Sequence, residues 1–391
     1  MKATLSRRKL PRQITSPRMA APLLIALAAT FAWSASGGAQ DGSRASERRA
    51  QSILPNQFQP VYQPIAAAPE SPAPARIAAR ISELGRAFGP GVSISVRDIR
   101  EGWSTSWNGD RLCPQQSVSK LWVALAVFDA MDRGALRPDD AMIVTRNDLT
   151  LFHQPIRALV GDNGYRATVS DLLEREMTQS DNTANDMLLR RVGGPNAIRA
   201  MLTRLRIQNV RFGPGERLLQ SGIAGVTWRQ AFASGNGFEQ ARASLPVEKR
   251  RAALEAYAEN PIDGAAPNAI TLALARLVRG ELLTPTGTQN LLALMERSKT
   301  GRARMKAAIE PDWLLAHKTG TGQELGGVVA GFNDVGLLTA PDGHIYAVAV
   351  MVARSSRPIG ERQAIIANVA RAVIDDWKNN SRDGSSPRYR R

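Results

Sequence analysis

Strand-like sequence stands at both ends of the folding unit, and helical sequence fills the space between them. Gly91–Asp98 ("GVSISVRD") alternates well enough for a strand, and "GWSTSWNGD" follows across "IREG" as its hairpin partner. Far along the chain, "GGVVAGFNDVGLLTA" and "HIYAVAVMVA" alternate again, separated by the turn "PDG". A sheet drawing its strands from both ends must be closed around whatever lies in the middle. The expected fold is therefore α+β: an antiparallel sheet built from N- and C-terminal segments, flanked by helices, with an inserted all-helical lobe over about 117–316.

Local signals support that outline. An amphipathic helix, "ARIAARISELGRAFG", opens the unit, and "ERQAIIANVARAVIDDW" closes it. Thr168–Asp171 ("TVSD") fits a capping box, and Pro195 stands at the first helical position of "GGPNAIRAMLTRL". The catalytic unit is expected over 76–380. Ahead of it, six prolines (Pro55, Pro60, Pro64, Pro69, Pro72 and Pro74) make 40–75 read as an extended, disordered tether. Residues 381–391 read as a basic, disordered tail.

The net charge of +16 would suggest a polyanionic partner if it were spread over the fold. It is not. Residues 1–39 carry six basic side chains and no acid, and 378–391 carry five against Asp383, leaving +6 for the rest. No nucleic-acid footprint follows from such a balance. Residues 1–39 read instead as a signal peptide, a basic region ahead of the apolar run Met19–Trp33, with cleavage after Ala35 or Ala39. That run is too short to span a bilayer, so no stable membrane anchor is expected. The product is expected to be periplasmic or secreted. "SRRKL" leaves twin-arginine and general secretory export both open. Cys113 is the only cysteine, and the three histidines (His153, His317, His344) are not at metal-ligand spacing, so no metal and no cofactor are expected.

"QQSVSKLWVALAVFDAM" (Gln115–Met131) raises the central chemical question. A helix apolar all round is buried, and Lys120 sits at its mouth three residues after Ser117, on the same face. A lysine there either snorkels to solvent or is desolvated beside the hydroxyl, which lowers its pKa and activates the serine. Two further motifs follow in order, Ser180-Asp181-Asn182 and Lys318-Thr319-Gly320. Each has a decoy or is weak alone. Ser6–Lys9 also satisfies S-x-x-K, inside the export segment. Lys299–Gly301 also satisfies K-T-G, but follows an apolar helix with Gly301 read as its C-cap, whereas Lys318 borders strand-like sequence.

The ordered set resembles the class A serine β-lactamases and their relatives, the penicillin-binding D,D-peptidases, from about Ala75 to Trp377. The resemblance implies Ser117 as nucleophile, with Lys120 taking its proton or holding the network that does. It implies an oxyanion hole from the backbone N–H groups of Ser117 and Thr321, and Ser180 as proton relay to the departing nitrogen. Asn182 would bind the substrate's side-chain amide; Lys318, Thr319 and Gly320 would hold its carboxylate. The family's E-x-x-L-N is met by Glu216-Arg217-Leu218-Leu219-Gln220, with Glu216 as general base and Gln220 where asparagine is usual. Pro214 and Gly215 stand where the family commonly has a bracing arginine. Residues 221–262 are an insertion. Phe152 is an expected aromatic cleft wall or packing residue, and Arg354 or Arg357 a carboxylate aid or a solvated arginine.

The implied activity is hydrolysis of a small-molecule β-lactam through a Ser117 acyl-enzyme, by a monomer. The alternative is a D,D-peptidase-like or esterase-like hydrolase that β-lactams acylate but that turns over slowly.

Overall fold

A computed structural model describes residues 63–382. The expected signal peptide, most of the tether and nearly all of the basic tail lie outside the described residues. Seven strands form one sheet. In chain order they are β1 (Ser71–Pro72), β2 (Val92–Asp98), β3 (Trp103–Trp107), β6 (Leu314–Thr321), β7 (Glu324–Leu325), β8 (Val328–Thr339) and β9 (Ile345–Ser355). Their spatial order is β1-β3-β2-β9-β8-β6, with β7 also on β8. The N-terminal hairpin thus joins the C-terminal strands through the antiparallel β2–β9 pair, with Val92 opposite Val352 and Asp98 opposite Tyr346.

β9 shows what the alternation in the sequence encodes. Ala347, Ala349, Met351 and Ala353 face the core shared with the helical lobe. Tyr346, Val348, Val350 and Val352 face the core under α1 (Ala75–Phe88) and α11 (Ile359–Arg382). Both faces are buried, so the period-two signal is one of size rather than polarity. The small face admits α9 (Pro267–Val278) close against the strand.

The lobe inserted between β3 and β6 is built around α2 (Lys120–Asp132), whose residues from Lys120 to Ala130 are all buried. α3 (Val169–Glu174), α4 (Asn182–Arg191), α5 (Gly194–Arg204) and α10 (Pro285–Glu296) surround it. The expected capping box is present: Thr168 Oγ1 accepts from the Asp171 N–H at 3.1 Å, and Asp171 Oδ2 accepts from the Thr168 N–H at 3.1 Å.

Four expectations need correction. The lobe is not all-helical, because β4 (Ala141–Val144) and β5 (Tyr165–Thr168) pair as a separate antiparallel ribbon. Each is four residues long, too short for a periodicity signal to separate it from the helices around it. The tether does not run free to 75, and the large sheet is not wholly antiparallel. Ser71–Pro72 pair parallel with Trp103 and Ser104, and Ser71 Oγ donates to the Glu101 carbonyl at 2.9 Å. A proline fits there because an edge strand leaves one N–H unused. Gly301 is not the cap of α10, which ends at Glu296 with Arg297 as its cap. Gly301 belongs to the following turn, where a Cβ would lie 2.6 Å from Thr319 Cγ2.

Candidate active site

Ser117 lies in a 3-10 turn, Gln116–Ser119, that leads directly into α2. In a 3-10 turn side chains at i and i+3 eclipse, so Lys120 Nζ reaches Ser117 Oγ at 3.1 Å. Lys120 does not snorkel; it is fully buried. Its other two donors go to Asn182 Oδ1 at 2.9 Å and to Glu216 Oε1. All three ammonium hydrogens therefore have acceptors, which offsets the loss of water.

Asn182 and Ser180 are placed by a distorted stretch of backbone. A π-helical turn, Arg175–Gln179, ends at Ser180 in the left-handed conformation (φ 63°, ψ 35°). Asp181 then caps α4, accepting from the Ala184 N–H at 2.9 Å, and from the Ile156 N–H at 2.6 Å. The middle residue of the motif is thus structural. Asn182 Nδ2 donates to the Leu151 carbonyl at 2.9 Å, which fixes the amide so that its oxygen faces Lys120.

From the sheet side, Lys318 Nζ donates to Ser180 Oγ at 2.9 Å and to the Thr319 carbonyl at 3.1 Å. Lys318 is fully buried, and burial first, then the Lys120 charge, pushes its pKa down to about 7. Gly320 is required by close approach: a Cβ there would stand 2.3 Å from the Gln115 carbonyl. That contact lays β6 across the turn carrying Ser117, and it brings the Thr321 backbone to the same side. Lys299 is exposed. Its neighbour Thr300 is not remote, however, because Thr300 Oγ1 and Thr319 Oγ1 share a hydrogen bond of 2.8 Å. The decoy motif buttresses the one that enters the site.

Glu216 opens α6 (Glu216–Ile223) after Gly215, whose φ of 97° suits glycine. The bracing arginine comes from elsewhere in the chain: Arg199 of α5 donates from Nε to the Phe212 carbonyl at 3.0 Å and from Nη2 to the Gly213 carbonyl at 3.4 Å. Asp186, one helical turn after Asn182 on the same face, accepts the Glu216 N–H at 2.9 Å and the Arg217 N–H at 3.4 Å. Gln220 donates from Nε2 to Glu216 Oε2 and to Gln116 Oε1, each at 3.1 Å. Its Oε1 accepts from Gln323 Nε2 at 3.2 Å. The longer amide thus serves chiefly to hold the Glu216 carboxylate.

Ser117, Lys120, Ser180, Asn182, Glu216, Gln220, Lys318, Thr319, Gly320 and Thr321 are thereby brought together. Arg354 and Arg357 are elsewhere, paired with Glu255 and Glu361. The cation that does reach the site is Arg304, which sequence reading missed. Its guanidinium donates to the Gly320 carbonyl (3.1 Å), the Asn333 carbonyl (2.6 Å) and Thr321 Oγ1, and it lies 3.9 Å from the Phe332 ring centroid. Nothing in the irregular stretch around it distinguishes it from other arginines. Phe152 is held in the left-handed region (φ 59°) and is 42% exposed. It packs edge-on against Phe238 of the inserted segment at 5.4 Å.

Glu176 was also missed, although its spacing from the buried Leu172 and Leu173 places it on the inner face. It is fully buried, and neither carboxylate oxygen has a hydrogen-bond partner among the described residues. Burial raises its pKa to about 8, against the pull of Lys120 and Lys318. An acid whose folded pKa lies above its unfolded value contributes stability at low pH. That contribution is lost as pH rises from about 4.5 towards 8. Asp263, raised to about 7, acts in the same direction. Lys318 acts oppositely, with stability rising from about pH 7 to 10.5. Thermal melts between pH 5 and 8 are therefore expected to show a falling midpoint, and Glu176→Gln to flatten that slope, leaving Asp263's share. An identical slope in the variant would remove Glu176 from this role.

A half-buried serine bonded to a fully buried lysine, a carboxylate held against that lysine and a strand lysine across a hydroxyl define a serine acyl-transfer enzyme. Residues 76–377 match the β-lactamase enzyme family, and the chain belongs to that family, among its class A members. It is 23% identical over 301 residues to β-lactamase VEB-1 of Pseudomonas aeruginosa, covering 77% of this chain and 90% of that one. It is 28% identical over 262 residues to the extended-spectrum β-lactamase PER-1 of the same organism, covering 66% and 74%. The structure of an ancestral class A β-lactamase superposes with a TM-score of 0.59 at 27% identity, covering 77% of this chain and 99% of that one.

Proposed function

We propose that this serine β-lactamase opens the β-lactam amide through an ester on Ser117, with water releasing the product. The observation that carries the reading is the three-way hydrogen bonding of Lys120 to Ser117, Asn182 and Glu216. It supplies a proton path from the nucleophile to a base without any further group. Ser117 Oγ attacks the lactam carbonyl as its proton passes to the Lys120–Glu216 pair. The backbone N–H groups of Ser117 and Thr321 stabilise the oxyanion; such donors contribute about 3 kcal/mol each. Ser180, held by Lys318, hands its proton to the departing nitrogen and is resupplied with the proton taken from Ser117, which leaves Glu216 free as a base. Lys318, Thr319 and Arg304 hold the substrate carboxylate, whose charge favours the protonated form of Lys318. Glu216, oriented by Gln220, then deprotonates the water that cleaves the ester.

The substrate of this scheme is a small molecule, and the protein is taken to act as a monomer. The basic and then apolar sequence of residues 1–39 supports export to the periplasm or beyond. No helix of the described residues is long and apolar enough to cross a membrane. The test is turnover of a chromogenic cephalosporin by the purified chain. Many equivalents are expected per enzyme, and none above background with Ser117→Ala. A single stoichiometric burst from the unmodified protein would instead favour the slow D,D-peptidase-like alternative.

A further inference from the structure

The inserted segment, residues 221–262, reaches the reaction centre from behind. Its second helix, α8 (Val247–Glu259), packs Leu254, Tyr257 and Ala258 against Leu219 and Ile223 of α6 and against Ala330 of β8. The helix carrying Glu216 and Gln220 is thus clamped between the insertion and the sheet. At the centre of that clamp the Tyr257 hydroxyl donates to Asp263 Oδ2 at 3.2 Å and accepts from Gln116 Nε2 at 2.8 Å. Asp263 Oδ2 also accepts the Gln116 N–H at 2.9 Å. Gln116 has φ 53°, a conformation a non-glycine residue keeps only when its surroundings impose it.

The direction of these bonds matters. With its proton on Asp263, the Tyr257 oxygen can only accept from Gln116, so the Gln116 NH₂ must face it and the Gln116 oxygen must face Gln220. That oxygen accepts from Gln220 Nε2, the same nitrogen that donates to Glu216 Oε2. Turning the Gln116 amide over would set NH₂ against NH₂ and release Gln220 from its place. Asp263, Tyr257, Gln116, Gln220 and Glu216 therefore form one chain of defined polarity, ending on the carboxylate that activates water.

We propose that Tyr257 and Asp263 are positioning residues for acyl-enzyme hydrolysis: through Gln116 and Gln220 they fix the Glu216 carboxylate. Tyr257 of the insertion and the adjoining Asp263 thus add a support on the Gln220 side, beyond the one Arg199 gives the approach loop. This rests on the reading of Glu216 as the deacylating base.

The test is Tyr257→Phe, which removes one oxygen, assayed on a chromogenic cephalosporin beside the unmodified chain and Glu216→Ala. A selective deacylation defect is expected to lower kcat about tenfold. KM should fall by a similar factor, leaving kcat/KM nearly unchanged, with a new burst of one equivalent and an unaltered melting temperature. Gln116→Met should show the same pattern, and the double variant should be no worse than Gln116→Met alone. Should Tyr257→Phe fail to fold, Gln116→Met carries the same readout. Unchanged kcat in Tyr257→Phe, or equal losses in kcat and kcat/KM without a burst, would overturn the proposal. If Glu216→Ala itself accumulates no acyl-enzyme, the underlying reading fails first, and the positioning role fails with it.

Discussion

Glu216→Ala is expected to turn over about one equivalent of cephalosporin and then stall, with kcat lowered on the order of a thousandfold. Acylation leaves the enzyme with an ester that only water can cleave. The carboxylate is the group near Ser117 able to take the water's proton while Gln220 holds it in place. Removing it also strips Lys120 of an acceptor in a site with almost no solvent. Acylation should therefore slow as well, but by less, because Ser117 Oγ and Asn182 Oδ1 remain bonded to the ammonium. Stopped-flow absorbance separates the two phases. A variant that keeps steady turnover without a burst would show that another group activates the water.

The second large effect is expected at Lys120. Lys120→Met preserves length and bulk but leaves Glu216 buried without its cation. Losing one partner of a buried ion pair costs about 3–5 kcal/mol, because the remaining charge has neither water nor counter-charge. The variant should melt well below the unmodified protein and lose acylation together with turnover. Adding Glu216→Gln, which removes the stranded charge, should recover most of the stability and none of the activity. Thermal melts and cephalosporin assays on the single and double variants check both halves. A double variant no more stable than the single would mean that Glu216 draws its stabilisation from its other contacts.

Much of this arrangement was legible because short-range chemistry dictates it. A lysine at the mouth of an apolar helix either snorkels or is buried beside acceptors, and the ordered motifs Ser180–Asn182 and Lys318–Gly320 are what decide for the buried reading of Lys120 beside Ser117. Strand patterns at both ends of the chain require a sheet closed around the middle. What stayed hidden depends on long-range closure. Arg304 enters the site because an irregular turn delivers it to β6. Tyr257 matters only because α8 folds back onto α6, and "PVEKRRAALEAYAE" reads as an ordinary surface helix until that contact is known. The ribbon β4–β5 and the edge strand β1 are too short to carry a period. Glu176 was readable from its helical phase, but charge argues against burial until the two lysines near it are placed.

The most direct test of acyl transfer through Ser117 is to trap the covalent intermediate and locate it. Glu216→Ala is mixed with a cephalosporin, quenched, digested and analysed by mass spectrometry. A stoichiometric adduct on Ser117 is expected, absent from the Ser117→Ala, Glu216→Ala double variant. An adduct on any other residue, or hydrolysis by Ser117→Ala at the unmodified rate, would contradict it.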